Sequence, residues 1–285
     1  MRESDLVGAE LTLLGRLPDA SNTALLTDLR AADGRRRYGL YKPIRGERPL
    51  WDFPDGFLAH REVAAYLISE AGGWRVVPPT ALRDGPLGVG SVQLWVTATP
   101  GEDGTPQADP RNLRPVPSEV DVIVTTSRHL PAGYLPVLTG QQSAGSRVVI
   151  AHADTPELAS VAVFDAVLNN SDRKASHLLR DAGNRLWGVD HGVSLHVQDK
   201  LRTVLWGWRG QPLPAADVQR LQILRAALGS QTEPGSDQSG LVAALAELLT
   251  RAEVAALQRR VEHLLSTGVF PEPPHEWPAV PWPPL

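Results

Sequence analysis

The sequence predicts an α+β protein of two lobes, strand-rich in its N-terminal half and mainly helical in its C-terminal half. Three observations carry this reading. Short β-type runs punctuated by turn residues, with one helical run among them, continue to about residue 97; a Pro/Gly/Ser-rich interval from 100 to about 145 has no sustained periodicity; from 157 onward the apolar runs are mainly helical. The division expected from them is an N-terminal lobe over 1–99, an insertion or linker carrying little core over 100–150, and a C-terminal lobe over 151–285.

In chain order, strands are expected over 10–14, 23–29 and 37–41, the first two joined by the polar turn 15–22 and the third ending in Lys42-Pro43. A helix is expected over 58–71, where Val63, Ala64, Leu67, Ile68 and Ala71 recur at helical spacing before Gly72-Gly73 stops it. Glu62 lies beside that apolar stripe, so its carboxylate can reach over the helix edge into a neighbouring cleft. Further strands follow over 76–82 and 90–97. Helices are then expected over 157–169, 215–228 and 241–265, and the Pro/Trp-rich end reads as an extended strap or a frayed tail.

Composition excludes several classes. The chain has 285 residues, 42% hydrophobic and 21% charged, with a formal net charge of -4, which argues against general disorder and a nucleic-acid footprint. With no cysteine there are no disulfides, thiol nucleophiles or Cys-based metal sites. No apolar run approaches a membrane span and no lipidation signal or membrane anchor is legible, so a cytoplasmic protein is expected. Only three of the 28 basic residues are Lys, namely Lys42, Lys174 and Lys200. In a chain whose default cation is Arg, a Lys marks a place that suits a compact ammonium.

The chemistry concentrates in 169–192. Gly183-Asn184 is a hairpin-type dipeptide between strand-like flanks at 178–180 and 186–189. A two-residue loop there pairs residues whose numbers sum to 367, which sets His177 opposite Asp190 with Cβ atoms about 4.5–5.5 Å apart. Such a pair can ligate one divalent cation or simply share a hydrogen bond. Asp172 sits in a polar run beside Arg173 and Lys174, which should keep it ionised for work as a base or aligner.

The order Lys42, Glu62, Asp172, His177 and Asp190-His191-Gly192 resembles the protein-kinase-like fold. More specifically, YKPIRGERPLWDFP, HREVAAYL, VVPPT, NNSDRKASH and VDHGVSLH are similar to an actinobacterial family grouped distantly with the phosphatidylinositol 3- and 4-kinases. The resemblance implies a two-lobed kinase binding ATP with Mg or Mn. It makes Lys42 the phosphate-contacting lysine, Glu62 its ion-pair partner, Asp172 the acceptor-orienting carboxylate, and Lys174 a stabiliser of the transferring group. Ser21 and Asn22 would cover the phosphates, while Gln93, Leu94, Trp95 and Val96 would pass the adenine as the hinge. Asp190 and His177 would hold the metal, although kinases of this kind usually carry Asn where His177 stands, and an aromatic residue in place of His191. Imidazole is a softer ligand than an amide oxygen, which favours Mn or another transition metal or weakens the second metal site.

Two other readings compete. A nucleotide- or partner-binding pseudokinase without turnover accommodates both histidines. A metal-dependent hydrolase would gather His177, Asp190 and His191, with His152, around zinc, but neighbours 190 and 191 point to opposite faces of a continuing strand. The acceptor is expected to be a protein or small molecule rather than a lipid, because no basic amphipathic helix is present to approach a membrane.

Overall fold

Five antiparallel strands build the N-terminal lobe: β1 (Glu10–Arg16), β2 (Leu25–Arg30), β3 (Arg36–Pro43), β4 (Thr80–Gly85) and β5 (Gly88–Leu94), in the spatial order β1-β2-β3-β5-β4. The computed structural model describes residues 3–17, 22–51, 53, 56–96, 120–126, 129–141, 147–229, 240–274 and 276–285. A short helix, α1 (Glu3–Gly8), contributes Leu6 to a small core with Leu25, Leu29, Tyr41, Ala81 and Val92. Lys42 lies opposite Ser91 near the end of β3, and Leu40 lies opposite Gln93.

Helix α2 spans Leu58–Ala71, the range its periodicity predicts. It is not the one-sided helix that the spacing suggests, because it is buried on nearly every side: Arg61, Glu62, Val63, Ala64, Ala65, Tyr66 and Ile68 are all enclosed. The physical reason is its position between lobes. It packs on β4 and β5 and also joins, through Val63, Ala64 and Ile68, the main core of the C-terminal lobe.

Segment 100–150 departs from the linker expectation. Strands β6 (Val122–Thr125), β7 (Tyr134–Gln141) and β8 (Arg147–Ala153) form a three-stranded antiparallel sheet ordered β6-β8-β7, and Val122 and Ile150 enter the main core. Residues 97–119, 127–128 and 142–146 lie outside the described residues. The sheet is hard to see in sequence because β7 is mostly exposed and its register shifts between Pro136 and Leu138, which breaks the alternation.

His152 fastens this sheet to the C-terminal lobe. Its Nδ1 donates to Ala153 O at 2.9 Å, its Nε2 accepts from Gly207 N–H at 2.9 Å, and its ring lies 4.1 Å from that of Trp208. A Cβ on Gly207 would stand 2.5 Å from His152 Nε2, so only glycine permits the approach.

The C-terminal lobe contains α3 (Pro156–Leu168), the hairpin strands β9 (Leu178–Arg180) and β10 (Leu186–Gly188), and helices α4 (Ala215–Gly229), α5 (Leu241–Ala246) and α6 (Arg251–Thr267). The single helix expected over 241–265 is thus two. Thr250 starts the second with a capping box, its side chain accepting from Glu253 N–H while the Glu253 carboxylate accepts from the Thr250 N–H. The final segment is an extended strap: Ala279 O accepts from Thr203 N–H and Trp206 Nε1–H, and Pro284 O accepts from Ala175 N–H. Among the described residues no helix is long and apolar enough to cross a membrane.

Burial lowers the pKa of His152 below its ordinary value, with Asp154 pulling weakly the other way. The stability gained by keeping its imidazole neutral is therefore full above about pH 6.5 and lost as pH falls through the lower folded pKa. Thermal denaturation between pH 8 and pH 4 should show a falling midpoint on the acid side, and His152→Gln should flatten that slope; an unchanged slope refutes this assignment.

Candidate active site

Three distant segments meet in one cleft between the lobes. Lys42, 23% exposed at the end of β3, donates from Nζ to Glu62 Oε1 on α2 at 2.5 Å and to Asp190 Oδ1 beyond β10 at 3.0 Å. The other Glu62 oxygen, Oε2, accepts from His191 N–H at 3.0 Å. Glu62 therefore ties β3 and the residues after β10 to one helix. A Cβ on Gly192 would lie 3.3 Å from Leu58 Cβ and 3.6 Å from Glu62 Oε1, which explains a small residue after His191.

The electrostatics follow from this geometry. Burial opposes the Lys42 charge, but Asp190 and Glu62 outweigh it and hold the ammonium above its ordinary range. Lys42 in turn holds the Asp190 carboxyl well below the usual carboxylate range. Burial pushes the Glu62 carboxyl up, against the pull of Lys42. Asp190 is nevertheless half exposed, at 48% of its side chain, so a charged carboxylate faces the cleft.

His177 reaches Asp190, but by a different route from the one the sequence implies. The hairpin pairs Leu186 with Arg180 and Gly188 with Leu178, a sum of 366. Its loop has three residues, with Asn184 left-handed at φ 63° and the Asp181 side chain accepting from Gly183 and Arg185 N–H. In that register His177 faces Val189, whose N–H donates to His177 O at 3.0 Å. Asp190 leaves the strand with φ 59°, and this turn brings its Oδ2 to 3.4 Å from His177 Nε2. Burial, partly offset by Asp190, pushes the His177 imidazole down to about 4, so it is neutral at neutral pH and offers a lone pair.

Asp172 and Lys174 form their own pair at 3.0 Å, each about a quarter exposed. Asp172 N–H donates to Asn170 Oδ1 at 3.0 Å. Burial raises the Asp172 carboxyl and Lys174 opposes the rise, so the surroundings are less purely ionising than the neighbouring cations suggest.

The remaining expected residues fall as follows. Ser21 lies outside the described residues. Asn22 Oδ1 accepts from Arg48 N–H at 2.9 Å, tying the β1–β2 turn to the segment after β3. At the expected hinge, the Gln93 amide is buried and donates to Thr80 Oγ1 at 2.9 Å, so it supports the strand from behind. Leu94 and Trp95 N–H donate to Pro79 and Tyr38 carbonyls, so these two backbone donors are already used within the lobe, and Val96 follows directly after them.

The zinc constellation does not form. His191 is fully buried against Phe164 with ring centroids 5.9 Å apart, and His152 is bound beneath the three-stranded sheet. Among the described residues no group of three or more His, Asp or Glu is arranged to hold a metal ion.

Sequence reasoning passed over the residue that organises the loop. Arg173 is completely buried and pairs with Asp165 of α3, with Nε and Nη2 donating at 2.9 Å each. Its Nη1 donates to Val189 O at 2.8 Å and His177 O at 3.2 Å, and Nη2 also meets His191 Nε2 at 2.7 Å. Asn170 Nδ2 donates to the same Asp165 carboxylate at 3.0 Å. The signal was present: Asp165 is the one charged residue in the apolar run 158–168.

Replacing Arg173 by Met leaves Asp165 as an uncompensated buried charge. Urea denaturation should show a loss of about 3–5 kcal/mol, and Arg173→Met with Asp165→Leu should recover part of it. A loss below about 1 kcal/mol would refute the role assigned to this pair.

No protein-family model matches the chain. It resembles solved structures of the Golgi casein kinase (14% identity, 93% of this chain and 72% of that one, TM-score 0.48) and of the Golgi casein kinase with Mn/ADP bound (14%, 93% and 74%, 0.49). Hydra Fam20 with sugar is similar at 12% identity, over 93% of this chain and 86% of that one, with a TM-score of 0.48. In sequence it is 46% identical over 279 residues, 98% of this chain and 93% of the other, to Protein Rv2133c of Mycobacterium tuberculosis (strain ATCC 25618 / H37Rv). The chain belongs to the same family as that mycobacterial protein.

Proposed function

We propose that the chain is an ATP-dependent phosphotransferase, distantly grouped with the phosphatidylinositol 3- and 4-kinases through its five motifs, whose acceptor is a protein or small molecule. The observation that carries the reading is the Lys42 ammonium shared by Glu62 at 2.5 Å and Asp190 at 3.0 Å. A lysine anchored by a buried carboxylate and aimed at an exposed one is suited to polyphosphate, since phosphoryl transfer asks chiefly for alignment and charge neutralisation.

The residues fit a divalent cation that arrives with a nucleotide. Asp190 offers a half-exposed, ionised carboxylate and His177 a neutral imidazole, while too few protein ligands converge to hold a metal alone. Phosphate oxygens and water would complete the shell, and the imidazole favours Mn²⁺ over Mg²⁺. When bound, the metal supplies charge neutralisation to the phosphates. Asp172 would orient the acceptor hydroxyl and take up its proton as the bond from the γ-phosphorus to the ADP oxygen breaks, and Lys174, which pairs with Asp172 at 3.0 Å, would stabilise charge on the transferring group.

Calorimetric titration with ATP should show binding in the presence of Mn²⁺ or Mg²⁺; no binding with either overturns the reading. Asp190→Ala should weaken metal-dependent ATP affinity by about tenfold or more. Asp172→Ala should leave that affinity nearly unchanged while lowering ATP turnover by about 10²–10⁴-fold. A second reading, nucleotide binding without turnover, draws on the His177 substitution and the close pairing of Asp172 with Lys174. It predicts the same binding isotherms with no phosphate transfer in wild type.

A further inference from the structure

Away from the cleft, a cavity of about 640 Å³ opens in the C-terminal lobe between α6, the segment 197–201 and the strap at 269–274. It contains none of Lys42, Asp172, His177 or Asp190. One wall is apolar, made by Leu201, Ala256, Leu264, Val269 and Phe270. Its polar lining includes Arg259, Arg260, His263 and Thr267 on α6, together with Asn169, Asp199 and Glu272. The volume and mostly apolar lining are those of a small-molecule site rather than a packing defect.

Arg260 is the feature that points to a ligand. Its Nε donates to Val167 O at 3.0 Å and its Nη1 to His196 O at 3.1 Å. Both acceptors are neutral carbonyls. Nη2 is buried without any hydrogen-bond partner, so a head group in the cavity meets it only once a neighbouring side chain shifts, and among the described residues no carboxylate forms an ion pair with this guanidinium. Buried donors are ordinarily satisfied, and buried charges ordinarily find a counter-ion. Burial also lowers the Arg260 pKa to about 10, with Asp199 exerting a weaker opposite pull. The two acids in the lining, Asp199 and Glu272, disfavour a dianion, which leaves a single negative charge on an apolar body as its complement.

We propose that this cavity is a second ligand site that takes a monoanionic amphiphile, an aliphatic carboxylate, with its head at Arg260 and its chain along the apolar wall. The site is independent of the phosphotransfer reading, although it borders Asn169, whose side chain bonds His196 O, Gln198 O and Lys200 N–H next to the catalytic loop.

Calorimetry on the full chain with octanoate, decanoate and dodecanoate tests this, with octan-1-ol and octylammonium as controls. Saturable one-to-one binding is expected, tightening about fourfold for each added methylene. Octanoate should bind at least about tenfold more tightly than either control. Arg260→Gln, which keeps a donor for one carbonyl, should lose about tenfold or more in carboxylate affinity. Val197→Trp, at an exposed position on the rim, should block binding with the guanidinium intact. Should Arg260→Gln fail to fold, the neutral, near-linear Arg260→Met gives the same comparison. Absence of saturable carboxylate binding, equal binding of a control, or wild-type affinity in either the Arg260 or the Val197 variant overturns the proposal.

Discussion

A fully buried guanidinium holds the candidate catalytic apparatus together. Arg173 draws its countercharge from Asp165 in the middle of an apolar helix, and spends its remaining donors on the carbonyls of His177 and Val189 and on the His191 ring. One side chain thereby fixes α3, the loop carrying Asp172 and Lys174, both strands of the β9–β10 hairpin, and the turn that presents Asp190. Lysine could not replace it, since a single ammonium lacks the planar fork that reaches four partners at once. The usual cost of a buried ion pair is offset here by the carbonyl and amide groups that complete both partners' hydrogen bonding.

The lobes are joined by a second set of charges on α2. Arg61 donates to Glu253 of α6 at 2.5 Å and to Ser194 O at 2.9 Å, both deep in the protein. The adjacent residue, Glu62, faces Lys42 and His191. Consecutive side chains on a helix diverge by about 100°, so one turn of α2 grips the C-terminal lobe with Arg61 and the cleft with Glu62. This dual attachment explains why the helix is buried all round, and why the distance from β3 to the β9–β10 hairpin is set by one rigid element.

Much of this was legible in the residues themselves. The bounds of α2, the β9 strand and the central strands follow from periodicity, because those segments carry their burial pattern openly, while the set Lys42, Glu62, Asp172 and Asp190 is legible through the resemblance to a kinase-like fold. What escaped was decided by long-range contact. The sheet β6–β8 hides behind an exposed, register-shifted β7, and the break at Thr250 depends on a capping box inside an otherwise continuous apolar rhythm. The register of the hairpin was misjudged by one because Asp181 closes a three-residue loop where Gly183-Asn184 alone suggests two. His177 still meets Asp190 because the left-handed backbone at Asp190 returns its side chain to the cleft. Asp165 and Arg173 were readable only as an isolated acid and an adjacent base; their pairing required the fold.

The same left-handed turn keeps His191 apart from His177 and Asp190. Asp190 at φ 59° turns its carboxylate toward Lys42 and His177, while His191 is driven into the core against Phe164, where Arg173 occupies its Nε2. A neutral imidazole accepts that hydrogen bond, whereas a protonated one would meet the guanidinium as a like charge; burial and Arg173 accordingly hold the His191 pKa well below its ordinary value. His191 therefore acts as a spacer that positions Asp190, and the cleft sets one imidazole, His177, beside Asp190, with Glu62 bound to Lys42 and Asp172 bound to Lys174. That donor set is too small to bind a cation tightly alone but is complementary to a cation already carried by an anionic polyphosphate. Under the proposed function, such a site would make nucleotide and metal binding mutually dependent.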